Sequence, residues 1–326
     1  MAIVKKALVL PYTGLGDLIS INGLVRYLRQ SYDEVVVATG TNGMLLSNYM
    51  YGDDDGIKVE ELPWAGGYNV EQIKEHNVKW VEKFHLDGHT IIPLGNLELL
   101  DPYIQFMSDQ QKCIIKKRQA HGWVYCHWFK GMYLSAGLSP LTSVTHSYVN
   151  RDLQAENNLY DQLVQQVGSK YMVVHDSEHR GLSIDISRIH NPENLPIVYL
   201  DPPRSPVQSD NIFHFCKILE KAEERHFICS SFAHIVDIME CFFDKLKYMH
   251  IYARERDPVQ NSGGQADLCY YSPNWHVAFR RDKCLPLKVR PVNIGGVPEL
   301  DAAYEQMYHC GGQALPEDLQ KLNYRC

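Results

Sequence analysis

Near the start of the chain, Gly14-Leu15-Gly16-Asp17 has the residue types and spacing of a turn that meets a ligand. A short apolar run, Ala7 to Leu10, precedes it and reads as a buried parallel strand, with Thr13 leading into the glycines. After Asp17 the apolar residues Leu18, Ile19, Ile21, Leu24, Val25 and Leu28 fall on one face at helical spacing. The stretch is therefore a strand, a tight turn of Thr13, Gly14 and Gly16, and a helix N-terminus. Its free backbone N–H groups and positive helix end suit an anion or a polar ligand. Asp17 places one carboxylate at the mouth, where it can also cap the helix beside it. Ile19 occupies the position where a dinucleotide fingerprint needs its third glycine, which argues against a nicotinamide-dependent dehydrogenase.

Two other constellations point to metals and are set aside. Asp53-Asp54-Asp55 contains the Asp-x-Asp spacing of a divalent-ion site, but it lies between Gly52 and Gly56 and reads as a solvated acidic turn. His121, Cys126 and His127 have ligating side chains in a spacing that matches no familiar zinc site. No metal or other cofactor is expected.

The elements that must carry these residues alternate. Glu34 to Thr39 is a β-branched run, Ile57-Lys58-Val59 a short strand, and Thr90 to Pro93 another. Residues 44–49 and 70–86 have helical faces between them. His121, Trp123, Tyr125, His127, Trp128 and Phe129 form an aromatic-rich segment that either packs as core or lines an acceptor pocket. Polar residues from Ser139 to Asn158 mark a domain boundary near 150. A second series follows: helix 159–167, strand 170–176, strand 197–201, helix 211–222, strand 226–229, helix 232–246 and strand 248–252. Residues 297–309 read as a late helix packed back on the first domain. The fold class is α/β, with two Rossmann-like domains, 1–150 and 151–326, whose parallel sheets face a central cleft.

Composition sets outer limits. The chain has 326 residues, 45% hydrophobic and 22% charged, the balance of a globular protein with room for two domains. Its net charge of −7 argues against a nucleic-acid partner. Lys5 and Lys6 precede an apolar run that Pro11, Gly14, Gly16 and Asp17 interrupt, and no small-residue cleavage site follows, unlike a signal peptide. No apolar stretch is long enough to cross a bilayer. Nine scattered cysteines without C-x-x-C pairs suit reduced thiols, so a cytoplasmic location is expected.

Three patches together resemble one family. They are Thr13-Gly14-Leu15-Gly16-Asp17-Leu18-Ile19, Val173-Val174-His175-Asp176-Ser177-Glu178-His179-Arg180-Gly181-Leu182, and Ile228-Cys229-Ser230-Ser231-Phe232-Ala233-His234-Ile235-Val236-Asp237. The arrangement is similar to the GT-B glycosyltransferases of the ADP-heptose:lipopolysaccharide heptosyltransferase type. The resemblance implies a metal-independent enzyme that moves a sugar from a nucleotide-diphosphate donor to a hydroxyl of a glycan acceptor. It also implies that Asp17 is the base, that Ser177 and Arg180 hold the donor diphosphate, and that Ser230, Ser231 and His234 contact the donor in the first turn of a helix. The family pattern Asp-(Ser/Thr)-Gly-x-x-His is broken here, where Cys229 and Ser231 replace the Asp and the Gly. Read by themselves, Arg180 is equally a solvated loop cation, Ser230 and Ser231 are helix N-caps, and His234 is a partly buried core imidazole. A GT-B-fold sugar-nucleotide epimerase and a catalytically inactive nucleotide- or glycan-binding protein are the competing readings.

Overall fold

The computed structural model describes residues 4–11, 14–65, 70–94, 100–109, 111–113, 132–133, 135–139, 141–177, 182–250, 272–280 and 283–287. The chain divides into two compact units, 1–150 and 151–326. Thr13, Arg180, the aromatic and zinc-type residues 121–129, and the expected helix 297–309 lie outside the described residues.

The first unit is built on β1 (Lys6–Leu10), which α1 (Leu15–Ser20) and α2 (Asn22–Arg29) follow, bending at Ile21. Next come β2 (Glu34–Thr39), the short helices α3 (Thr41–Met44) and α4 (Ser47–Tyr51), and β3 (Ile57–Glu61). Then α5 (Val70–His76) and α6 (Val78–Leu86) lead to β4 (His89–Pro93). The strands are parallel in the order β3-β2-β1-β4. Ala7, Leu8, Val9 and Leu10 are all buried, as expected for a central parallel strand covered on both faces. Leu8, Leu10, Val36, Ala38, Ile73, Val81 and Ile91 form one continuous core cluster.

The sequence predicts one helix over 70–86, whereas the structure breaks it at Asn77. That side chain is buried and grips the backbone of Trp64, accepting from its N–H at 2.9 Å and donating to its carbonyl at 3.0 Å. The acidic turn is exposed at Asp53 and Asp55, as expected, but two of its three carboxylates pair with arginines. Arg26 grips both oxygens of Asp53 at 2.7 and 3.0 Å, and Arg29 donates to Asp54 at 3.0 Å.

The second unit starts with α8 (Leu153–Val167); the short α7 (Thr142–Thr145) closes the first. Asp152 caps α8 by accepting from the Ala155 N–H at 2.9 Å, so the helix begins six residues before the apolar pattern shows it. Then follow β5 (Met172–His175), β6 (Ile197–Tyr199), α9 (Cys216–Lys221), β7 (Glu224–Phe227), α10 (Ser231–Ile238) and β8 (Lys247–His250). Two further strands, β9 (Trp275–Arg280) and β10 (Lys283–Leu287), are not anticipated by the sequence reading. The sheet order is β10-β9-β8-β7-β5-β6, parallel except for the β9–β10 hairpin at its margin. Both units thus contain the parallel α/β sheets expected. Among the described residues, no helix is long and apolar enough to cross a membrane.

One face of the second sheet carries a chain of titratable groups. Glu224 lies 3.1 Å from His226 Nε2, and His226 Nδ1 lies 3.0 Å from His250 Nε2. Tyr248 stacks on His226 at 4.5 Å, and His276 packs on Tyr248 at 5.1 Å. Burial depresses both imidazoles below the ordinary value of 6.5, His250 to about 3. The unfolded chain therefore binds these protons first, so stability falls as pH drops below 6.5, and for His250 the fall continues toward pH 3. Urea unfolding is expected to show a stability loss from His250 of about 1.4 kcal/mol per pH unit across that window. His250→Gln should reduce the slope by one imidazole's share.

Candidate active site

In a parallel α/β sheet, ligands sit beyond the C-terminal ends of the strands, at the point where the winding reverses. In the first sheet that point lies between β1 and β4, because the chain winds outward through β2 and β3 and then returns to the other side of β1. The residues following β1 are the glycine turn and Asp17. In the second sheet the reversal lies between β5 and β7, followed respectively by Asp176-Ser177 and Cys229-Ser230-Ser231.

Asp17 occupies the third position of α1 and is 8% exposed. Its Oδ2 accepts a 2.9 Å hydrogen bond from the Gly14 N–H, so it caps its own helix, as the sequence allows. Gly14 makes this approach possible, since a Cβ there would stand 2.4 Å from that same oxygen. The helix end and the N–H favour the anion, while burial favours the neutral acid. Burial wins and pushes the pKa from 3.8 up to about 7, with the Gly14 bond pulling the other way. The turn is held from behind. Ser20 Oγ donates to the Asp17 carbonyl at 2.8 Å, and Tyr133 Oη to the Ser20 carbonyl at 2.7 Å. Asn22 bridges the Met50 carbonyl at 3.1 Å and the Tyr148 N–H at 2.8 Å. Gly16 lies within the first turn of α1.

In the second unit, Ser230 is the N-cap of α10, its Oγ accepting from the Ala233 N–H at 3.4 Å. Ser231 begins the helix with its side chain half-buried. His234 is one turn in and 3% exposed, and its N–H bonds the Ser230 carbonyl at 3.2 Å. Ser177 is buried and exchanges backbone hydrogen bonds with Leu182 at 2.7 and 3.0 Å. The ends of β5 and β7 meet directly. The Ile228 N–H donates to the His175 carbonyl at 3.1 Å, and the His175 ring lies 4.7 Å from that of Phe232 in the first turn of α10. Ser177 and Ser230 therefore follow neighbouring strands on one rim, which Asp17 and Gly14 do not share because they belong to the other unit.

The sequence reading gave no role to the supports of α10. Asp237 Oδ1 accepts from the Ser272 N–H at 2.9 Å, the Ser272 hydroxyl at 2.8 Å and the Trp275 indole at 2.9 Å. An acid at this helical position carries no signal of its own until β9 is recognised.

No protein-family model matches the chain, and no curated protein matches it in sequence. Solved structures do resemble it. A glycosyl transferase family 9 protein from Veillonella parvula aligns with a TM-score of 0.48 at 10% identity, over 84% of this chain and 85% of its own. A Listeria monocytogenes protein described as a UDP-N-acetylglucosamine 2-epimerase gives 0.43 at 14% identity, over 76% and 79%. The E. coli heptosyltransferase WaaC with ADP gives 0.38 at 10% identity, over 94% and 99%. Likenesses at this level say nothing of the chemistry.

The raised pKa of Asp17 has a stability consequence with a definite sign. Between pH 4 and pH 7 the folded chain holds a proton that the unfolded chain has released, so stability falls as pH rises through that window. Asp17→Asn keeps an acceptor for Gly14 and removes the titration. Above pH 7 it should be more stable than the parent by up to about 4 kcal/mol, with the gap closing below pH 4. Urea midpoints at pH 5 and pH 8 measure it.

Proposed function

We propose that this protein is a glycosyltransferase that moves a sugar from a nucleotide-diphosphate sugar to a hydroxyl of a glycan acceptor. The observation that carries the proposal is Asp17, a buried carboxylate at the winding reversal of the first sheet with its pKa lifted to about 7. A base works best when its pKa lies near the working pH, because it is then both available and avid for the proton. An ordinary carboxylate is always ionised at neutral pH but takes up a proton poorly.

In the proposed reaction the acceptor O–H gives its proton to Asp17 while its oxygen bonds to the anomeric carbon. The bond from that carbon to the donor diphosphate breaks, and the nucleoside diphosphate leaves with the electron pair. Its growing charge is met by the N-terminus of α10, by the hydroxyls of Ser177, Ser230 and Ser231, and by Arg180 and His234, without a metal. The turn of Thr13, Gly14 and Gly16 brings backbone close to the acceptor and aims the carboxylate. A cytoplasmic location belongs to the same reading.

Asp17→Asn is expected to lower transfer about 10²- to 10⁴-fold while donor affinity, read by calorimetry, stays within about twofold. Turnover close to that of the parent would remove Asp17 from the mechanism. In the parent, kcat should climb with pH through about 7 and level off above it. Activity should survive EDTA; a loss that manganese restores would overturn the metal-free mechanism. Conversion of donor in the absence of any acceptor would identify an epimerase instead.

A further inference from the structure

A partly buried charge cluster borders the donor rim of the second unit, outside the residues that the proposed chemistry uses. Asp176, immediately before Ser177, is 1% exposed. Its Oδ2 accepts from the Ile184 N–H at 2.9 Å, and its Oδ1 from Arg204 Nη2. The same Nη2 reaches Asp201 Oδ1 at 2.7 Å. The Arg204 guanidinium also covers the ring of Tyr199, 4.0 Å from its centroid. Asp176 follows β5 and Asp201 lies two residues beyond β6, so one arginine spans the C-terminal ends of two paired strands. Among the described residues, two carboxylates face this one guanidinium, whose charge offsets theirs. An anionic ligand beside Ser177 would be repelled by both carboxylates if the guanidinium were removed.

We infer that Arg204 is a positioning residue for the donor diphosphate: it offsets Asp176 and Asp201, and through Asp176 it holds Ser177 and the paired Leu182 in place. This rests on the assignment of the donor to the second unit. The arrangement does two things at once. Asp176 fastens the backbone at Ile184 by a hydrogen bond that only an acceptor at this buried position makes, which fixes the exit from the Ser177–Leu182 pairing. Arg204 then compensates the charge which that anchoring introduces beside an anion site. A neutral anchor would need no such partner, and a solvated one would be screened.

The charge argument predicts opposite signs for two substitutions on the same cluster. The probes are the nucleoside, nucleoside monophosphate and nucleoside diphosphate of uracil, adenine and guanine, titrated calorimetrically into the full chain. The parent should bind the diphosphate of one base far more tightly than its nucleoside. Arg204→Gln should weaken the diphosphate roughly tenfold and the nucleoside little. Arg204→Lys, which keeps the charge, should recover most of that loss. Asp201→Asn, which leaves Arg204 paired with Asp176, should tighten the diphosphate. Equal weakening of all three ligands by Arg204→Gln and Asp201→Asn would reveal a purely structural role and overturn the inference. So would an Arg204→Gln protein with the parent's diphosphate preference. Should Arg204→Gln fail to fold, Asp201→Asn decides alone: tighter diphosphate binding supports the inference, and unchanged or weaker binding overturns it. A parent that binds nucleoside and diphosphate alike would remove the donor assignment itself and this inference with it, a result distinguishable from the others because it needs no variant.

Discussion

A parallel strand cannot be re-entered through a tight hairpin; the chain must cross back and start again from the same end. Every parallel strand therefore ends on one rim of its sheet, and the turns that follow these strands collect there. Where the winding changes direction, two neighbouring strands send their crossovers to opposite sides, and the rim between them stays open. In the first unit that place lies beyond β1, and in the second between β5 and β7. Asp17, Ser177 and Ser230 owe their positions to this constraint before any consideration of chemistry. The surrounding polar network, Tyr133 on Ser20, Asn22 between Met50 and Tyr148, and Asp237 under α10, secures turns that the sheet itself leaves unsupported.

The carboxylate at the first of these places is in tension with the fold that holds it. One backbone N–H and a short helix end do not compensate for its removal from water, and the acid form is favoured up to about pH 7. An ion-paired aspartate would have been more stable and a poorer base. Asp53 and Asp54 illustrate that alternative within the same unit, where Arg26 and Arg29 hold them and Asp53 titrates below its ordinary value. The contrast separates a carboxylate that supports the fold from one that the fold supports.

Much of this organisation is legible in the sequence. Uninterrupted β-branched runs such as Glu34 to Thr39 are legible because strands buried on both faces admit little else. The glycine turn is legible because Gly14 must leave room for the carboxylate three residues on. What stays hidden depends on partners distant in the chain. Asn77 breaks a helical pattern through a bond to Trp64, Asp152 starts a helix ahead of its apolar face, and α10 stops at Ile238 although apolar residues continue. The acid turn at Asp53 reads as solvated, and it is exposed, but its pairing with Arg26 is invisible until the fold brings the two together. For Asp17 the residues show both opposing influences, but only burial in the folded chain decides between them. The Asp176–Arg204–Asp201 cluster follows no motif, since it joins the ends of two strands through an arginine.

Asp237 has a consequence for how the second unit can be divided. Its Oδ1 accepts from the Ser272 N–H, the Ser272 hydroxyl and the Trp275 indole. A fragment ending after β8 would retain β5, β6, β7 and β8 and all the donor-rim residues, and by sheet topology alone would look complete. It would also leave a carboxylate inside α10's packed face with every one of those donors gone, a loss that costs several kcal/mol at a buried charge. A fragment of this half that reaches Trp275 is therefore expected to be more stable than one that ends after β8. A protease cut between His250 and Ser272 would be tolerated only while the downstream strand stays docked.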